Sequence, residues 1–310
     1  MGGEKALPYR GRNNTLDNKS FEAFSKKYKQ LVEEELRTAV HALEAPASLK
    51  ESMSYSLNAG GKRIRPMLTF AAMDAFGKNP EDGVKAAAAI EMVHTYSLIH
   101  DDLPSMDDDD MRRGKPTNHK VFGEAIAILA GDALLTQSFE LIGNLPYASP
   151  EVKVRLMTGL SKASGAEGMV GGQVADMEGE RRDLTLEELE SIHIRKTGRL
   201  LEFSIFAGAV LSGATEEQVK SLSAFAHHLG LAFQIRDDIL DVIGDEATIG
   251  KRVGSDTLNE KSTYPKLLTL EGAKQALEKQ STLANEHLTA TGLDTAMLRE
   301  IASLVASRNN

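Results

Sequence analysis

AAAAIEMVHTYSLIHDDLPSMDDDD, residues 86–110, begins as an alanine-rich apolar run and ends in six aspartates within ten positions. Residues 86–100 contain no Gly or Pro and read as a mostly apolar helix leading directly into Asp101. A carboxylate at a helix C-terminus meets the negative end of the macrodipole and loses up to ~1 kcal/mol, so a positive partner is expected there. Pro104 cannot donate to the His100 carbonyl and steers Leu103 away from α geometry. The helix should end or kink just past Asp102, which could turn Asp107 back toward Asp101. An EF-hand calcium loop is excluded, because it needs a central Gly and this string has none before Gly114.

A single acidic run is most simply a solvated loop, but a second one occurs in LGLAFQIRDDILDVIG, residues 229–244. At 100° per residue Gln234, Asp237, Asp238 and Asp241 share one stripe of a helix. Ile235, Ile239, Leu240, Val242 and Ile243 lie on the other faces and are expected to be buried. Two such clusters, each ending an apolar helix, favour metal binding over two solvated faces. Carboxylates are hard oxygen ligands, and Mg²⁺ completes its shell with water and phosphate oxygens. A phosphate-bearing ligand is therefore expected.

Outside these segments the apolar residues also recur at three and four, as in Phe24, Tyr28, Leu31, Val32 and Leu36, and strand-like alternation is nearly absent. Breaks at Pro46, Gly60, Gly61, Pro80, Pro104, Pro116, Pro146, Pro150 and Gly244 divide the chain into about ten helices. Ser149-Pro150-Glu151 and Thr185 ahead of Glu187 and Glu188 are helix starts. Residues 1–20 are polar and aperiodic and read as a flexible leader. Residues 21–310 read as one all-α domain. Gly165, Gly168, Gly171 and Gly172 fall in an otherwise helical run, each costing ~1 kcal/mol relative to Ala, which close helix packing would offset.

Composition narrows the function further. A chain of 310 residues buries roughly three quarters of its unfolded surface, enough to enclose a cavity. The net charge of −9 argues against a nucleic-acid partner, which requires a basic footprint. The absence of cysteine excludes disulfides, thiolate metal sites and cysteine nucleophiles. The apolar stretches fall short of the ~20 residues of a membrane span, and the first residues lack a signal-peptide centre, so no membrane span and a cytoplasmic location are expected.

Cations lie where a phosphate would need them. Gly60-Gly61-Lys62-Arg63-Ile64-Arg65-Pro66 places Lys62 and Arg65 three apart on one side of a helix just beginning, with Arg63 pointing elsewhere. Arg112, Arg113 and Lys115 follow the first acidic run, and Lys196-Thr197-Gly198, Lys251 and Lys261 are further candidates. Glu260 stands where a P-loop ending in Lys261-Ser262 would need Gly, so that reading fails. His94 lies two turns before Asp101 and is either a core histidine or a phosphate ligand. Gln173 and Asp176 face a cavity, the core or solvent on equal terms.

Together GGKRIRP at 60–66, HTYSLIHDDLPSMDDDDMRRGKPTNH at 94–119, GMVGGQ at 168–173, RKTG at 195–198, FQIRDDILD at 233–241 and KSTYP at 261–265 resemble the trans-prenyltransferase family, its bacterial members in particular. The resemblance implies a bundle of about ten helices around a central cavity, the isoprenoid synthase type, usually homodimeric. It also implies condensation of isopentenyl diphosphate with dimethylallyl or geranyl diphosphate to give farnesyl diphosphate. By the same resemblance Asp101, Asp107 and Asp237 hold Mg²⁺, three ions once diphosphate is bound, supported by Asp102, Asp238 and Asp241. Lys62, Arg65, His94 and Arg113 hold isopentenyl diphosphate. Arg112, Lys196, Thr197, Gln234, Lys251 and Lys261 hold the allylic diphosphate. Many members carry a second lysine where this chain has Ser255.

Tyr96 and Ser97 stand five and four residues before Asp101, a turn or slightly more below the metals, where a growing chain would meet the Tyr96 ring. In related enzymes a bulky group here limits products to fifteen carbons. A longer-chain, geranylgeranyl-forming synthase is the alternative reading. Asp241 and the pair Lys62 and Arg65 disfavour a class I terpene cyclase, and two intact acidic clusters disfavour a non-catalytic subunit.

Overall fold

The computed structural model describes residues 18–180, 182–243 and 262–307, and among these helices are nearly the whole of the secondary structure. The chain runs through α1 (Asn18–His41), α2 (Ala47–Leu57), α3 (Ile64–Ala75), a 3₁₀ turn (Pro80–Gly83) and α4 (Val84–Asp101). A two-residue hairpin follows, β1 (Met111–Arg112) paired antiparallel with β2 (Lys115–Pro116). Next come α5 (Asn118–Phe122), α6 (Glu124–Gly143), α7 (Pro150–Ser164), α8 (Met169–Gly179) and α9 (Leu186–His193). A π-helical turn (Ile194–Gly198) joins α9 to α10 (Arg199–Leu211), followed by α11 (Glu216–Ile243), α12 (Tyr264–Ala290) and α13 (Ala296–Ser307). The leader expected over residues 1–20 lies outside the described residues as far as residue 17.

α4 is apolar on every side, and Ala86, Ala87, Ala88, Ala89, Ile90, Met92 and Val93 are all buried. A helix of that kind is stable only when surrounded. Here α1, α3 and α6 pack on it, and α3 in turn packs on α10. The caps expected from sequence form: the Ser149 hydroxyl accepts from Val152 N–H with Pro150 in the first turn, and Thr185 and Glu188 close a reciprocal capping box.

Several details differ from the sequence reading. The run around Gly165 is two helices, because α7 ends at Ser164 and α8 begins at Met169. The helix expected to carry Lys62 starts only at Ile64; Gly60, Gly61 and Arg63 all adopt positive φ, so Lys62 sits in the loop before it. Val242 and Ile243 are half-exposed instead of buried. Tyr264, the first residue of α12, is level with Asp238, so the last turn of α11 projects past the start of its neighbour. α6 is long and apolar enough to cross a bilayer by length and composition, because its few polar residues interrupt the run without lowering the average much.

Arg63 is nearly fully buried, and its guanidinium binds Glu91 of α4 at 2.7 Å, Glu33 of α1 at 3.4 Å and the Leu57 carbonyl that ends α2. It thus fixes the loop leading into α3 from three sides. Removing one partner of a buried ion pair strands the other. Arg63→Met is expected to lower unfolding free energy in denaturant titrations by about 3–5 kcal/mol, and adding Glu91→Met to recover most of that loss. A single variant as stable as the unchanged protein would remove this role.

Candidate active site

α4 ends at Asp101, capped by Asp102, and the Asp107 N–H donates to the Asp101 carbonyl at 2.9 Å. The chain therefore folds back, and Asp107 returns to Asp101. Burial pushes the Asp101 carboxyl up to about 6 against the pull of Lys196; Asp107 and Asp102 add to the rise, and Arg112 opposes it. The six acids are not equivalent. Asp107, Asp108, Asp109 and Asp110 are exposed, and Asp110 pairs with Lys120 at the surface.

Asp102 is buried and grips Arg112, accepting from Nε at 2.7 Å and from Nη2 at 2.6 Å. Burial lowers the Arg112 guanidinium, but the bond and charge of Asp102 outweigh it and leave the group raised. A tight hairpin aims both arginines: Arg113 and Gly114 take positive φ between β1 and β2, as a two-residue turn of this hand requires. The Arg113 guanidinium donates to the Gly60 carbonyl and lies directly over Gly61, where a Cβ would come 2.9 Å from Arg113 Cζ. Glycine at 61 is what allows the two basic loops to meet.

Behind them stand Arg65 and His94. Arg65 Nε is buried and has no hydrogen-bond partner among the described residues. Burial lowers the Arg65 guanidinium to about 10, opposed by Glu91, with Arg113 lowering and Asp237 raising it. Arg65 is therefore within electrostatic reach of both the hairpin and the second aspartate cluster. Burial, followed by the charges of Arg65, Arg113, Arg112 and Arg63, holds the His94 imidazole well below its ordinary value. A neutral histidine among four arginines and a buried guanidinium N–H with no acceptor are what an anion site looks like without its anion.

On α11, Gln234 and Asp237 are partly buried and Asp238 and Asp241 fully so. Asp238 Oδ2 accepts from the Tyr264 N–H at 2.9 Å and lies 3.7 Å from His193 Nε2; the Tyr264 hydroxyl donates to Glu190 at 2.9 Å, and its ring stacks on His193. Sequence reasoning misses Glu190 and His193, which belong to none of the motifs, and reaches Tyr264 only as part of KSTYP, without a role. Lys196 and Thr197 lie on the π turn, a geometry frequent at functional sites. Lys196 Nζ donates to Asp176 of α8 at 2.7 Å, which settles the orientation of Asp176. Tyr96 is buried one turn below Asp101, and Ser97 donates back to the His94 carbonyl. Lys251, Lys261 and Ser255 lie outside the described residues.

Among the described residues no three carboxylate or imidazole groups form a ready cage for an ion. The donors nevertheless fit Mg²⁺, which takes one or two carboxylates and completes its shell with phosphate oxygens and water. The desolvated Asp101 carboxylate, raised toward neutrality, is a group that a cation would relieve.

The chain belongs to the polyprenyl synthetase family, which it matches over residues 46–304. Within that family it is 56% identical to the farnesyl diphosphate synthase of Bacillus subtilis (strain 168), over 91% of this chain and 96% of that one. It is 57% identical to the farnesyl diphosphate synthase of Geobacillus stearothermophilus, over 94% and 99%. Its fold is that of the solved geranylgeranyl pyrophosphate synthetase of Pyrococcus horikoshii Ot3, with a TM-score of 0.85 at 32% identity, covering 94% of this chain and 99% of that one. The expectation of a helical fold of the isoprenoid synthase type is thereby met.

Proposed function

We propose that this protein joins isopentenyl diphosphate to dimethylallyl and then geranyl diphosphate and releases farnesyl diphosphate. The observation that carries the reading is Arg65, whose Nε is buried without an acceptor and whose guanidinium feels the charges of both Arg113 and Asp237. Lys62, Arg65, His94 and Arg113 hold isopentenyl diphosphate; Arg112, Lys196, Thr197 and Gln234 hold the allylic diphosphate, and Lys251 and Lys261, outside the described residues, are assigned to it by resemblance alone. Asp101, Asp107 and Asp237 hold Mg²⁺. Asp102 and Asp238 act indirectly, one by aiming Arg112 and the other by tying α11 to α12. Asp241 stands behind Asp237 on the same helix.

In the reaction the allylic C–O bond breaks, the isopentenyl double bond attacks the carbocation left behind, and the departing diphosphate takes the proton that the new cation loses. Bound Mg²⁺ would supply positive charge to the leaving diphosphate. Arg112 and Lys196 share that task, held in place beforehand by Asp102 and Asp176. No protein nucleophile is needed.

α6 supports the proposed homodimer. Ala125, Ile128, Leu129, Asp132 and Thr136 form one exposed stripe along it, with Ile128 43% and Leu129 53% exposed. An apolar stripe flanked by Asp132 and Thr136 suits a second copy better than lipid. The site lies in the cytoplasm on this reading.

Labelled isopentenyl diphosphate offered with each allylic starter, with and without a chelator, tests the activity. Fifteen-carbon product that disappears with the chelator is expected; no product from any starter defeats the proposal. Tyr96→Ala tests product length. It is expected to shift the main product to twenty carbons or more, and a variant yielding only fifteen would discard the Tyr96 reading in favour of another stop.

A further inference from the structure

We infer that His100 is a positioning residue for product length, because it braces the Tyr96 ring against α6. The inference rests on the reading of Tyr96 as the stop for the growing chain. Tyr96 and His100 are one turn apart on α4, and their rings meet edge to face, with centroids 5.7 Å apart and planes at 76°. Among the described residues no hydrogen bond fixes the Tyr96 hydroxyl, so packing alone sets where that ring stands. Burial and the nearby Asp101 charge hold its phenol neutral, raised to about 12.

His100 itself is held firmly. Its Nε2 donates to the Ile128 carbonyl of α6 at 3.0 Å, and since a carbonyl only accepts, Nε2 carries the proton. The ring can reach that carbonyl only because residue 131 is glycine. A Cβ there would meet the imidazole from three atoms, with Cε1 2.8 Å away. Gly131 is fully buried in α6, where glycine weakens the helix, and docking of His100 gives that position a reason. The chain of contact runs from the α6 backbone through His100 to Tyr96. Asp132, 4.0 Å from His100 Nε2, and Ile128 both lie on the α6 stripe proposed to face a second copy, so the brace stands directly behind that surface.

The bond to Ile128 and the space at Gly131 have no evident use for the chemistry at Asp101. They do decide whether the Tyr96 ring can swing aside. Without the imidazole edge the ring gains a rotamer pointing toward the vacated space, and a fifteen-carbon chain can pass.

The test is product chromatography of full-length His100→Ala, His100→Phe and Tyr96→Ala beside the unchanged protein, supplied with isopentenyl and geranyl diphosphates. His100→Ala is expected to raise the ratio of twenty- to fifteen-carbon product about fivefold, the ratio that corresponds to roughly 1 kcal/mol. His100→Phe keeps an aromatic edge on Tyr96 and is expected to stay within about twofold of the unchanged ratio. A purely structural role for His100 would slow all products alike. An unaltered ratio in His100→Ala, or equal shifts in the Ala and Phe variants, overturns the inference. Should His100→Ala fail to fold, Gly131→Ala displaces the imidazole by a methyl group and must also move the ratio; if it does not, the brace is wrong. Lengthening by Tyr96→Ala without lengthening by His100→Ala defeats this inference alone. An unchanged protein that makes no fifteen-carbon product defeats the functional reading beneath it.

Discussion

Asp101→Ala lowers turnover by about 100-fold or more while leaving the metal-free fold at least as stable, and the two effects have one cause. Asp101 is partly buried at the end of α4, where desolvation, the helix dipole and the neighbouring Asp102 and Asp107 outweigh the pull of Lys196 and Arg112 on its charge. Burial pushes its carboxyl up to about 6 from the ordinary value of 3.8. A raised acid is stabilised by protonation, so its contribution is favourable at low pH and lost as pH rises through about 6. At neutral pH it is an ionised group held out of water at the fold's expense. Such strain persists where a ligand relieves it, and here the proposed ligand is a divalent ion carrying the leaving diphosphate. Steady-state rates at saturating substrate and thermal melts without metal check both halves. The contrast is Asp110→Ala, since Asp110 is 72% exposed and paired only with Lys120 at the surface. Its effect should stay within about twofold. A near-normal rate for Asp101→Ala would contradict the assignment, and equal losses in both variants would mean that the acidic loop acts as a diffuse charge.

What the sequence made legible was local. The end of α4 at Asp101 follows from Pro104 and the apolar run before it, and the start of α9 from Thr185 and Glu188 three residues on. The carboxylates of α11 share a stripe because of the helix period alone. What remained hidden lies between segments far apart in the chain. Asp102 and Arg112 look like a ligand and a phosphate binder, each on its own, until the hairpin at residues 111–116 turns one onto the other. Asp238 reads as one more acid on the stripe, but its partner is a backbone N–H 26 residues later. Arg63 can be set apart from Lys62 and Arg65 by spacing, yet its burial against Glu91 and Glu33 depends on how α1, α3 and α4 meet. Periodicity names the face a residue occupies. It does not say which other helix that face will meet.

Gly172 shows the same division and yields the second large effect. The sequence marks it as a costly residue in a helix; the structure supplies the reason. α8 crosses the π turn so closely that a Cβ at 172 would lie 2.6 Å from the Lys196 Cα and 2.7 Å from the Arg195 carbonyl carbon. Those are backbone atoms and cannot rotate away. In an open helix Gly→Ala would add up to ~1 kcal/mol of stability. Here the added methyl must push α8 from the π turn, and overpacking of this kind costs about 1–3 kcal/mol. The clash therefore outweighs the propensity, and Gly172→Ala should melt lower than the unchanged protein. Activity should fall further than stability. Lys196 is the residue displaced, and it is held by Asp176 across that same contact. A shift of ~1 Å in a group that must meet a developing charge costs on the order of 100-fold in rate. Gly143→Ala, on α6, is the control: its Cβ would make only an ordinary 3.5 Å contact with Met157 Cε, so neither property should change much. If Gly172→Ala keeps its rate while losing stability, the close crossing serves packing alone, and the placement of Lys196 must be secured by something other than the approach of α8.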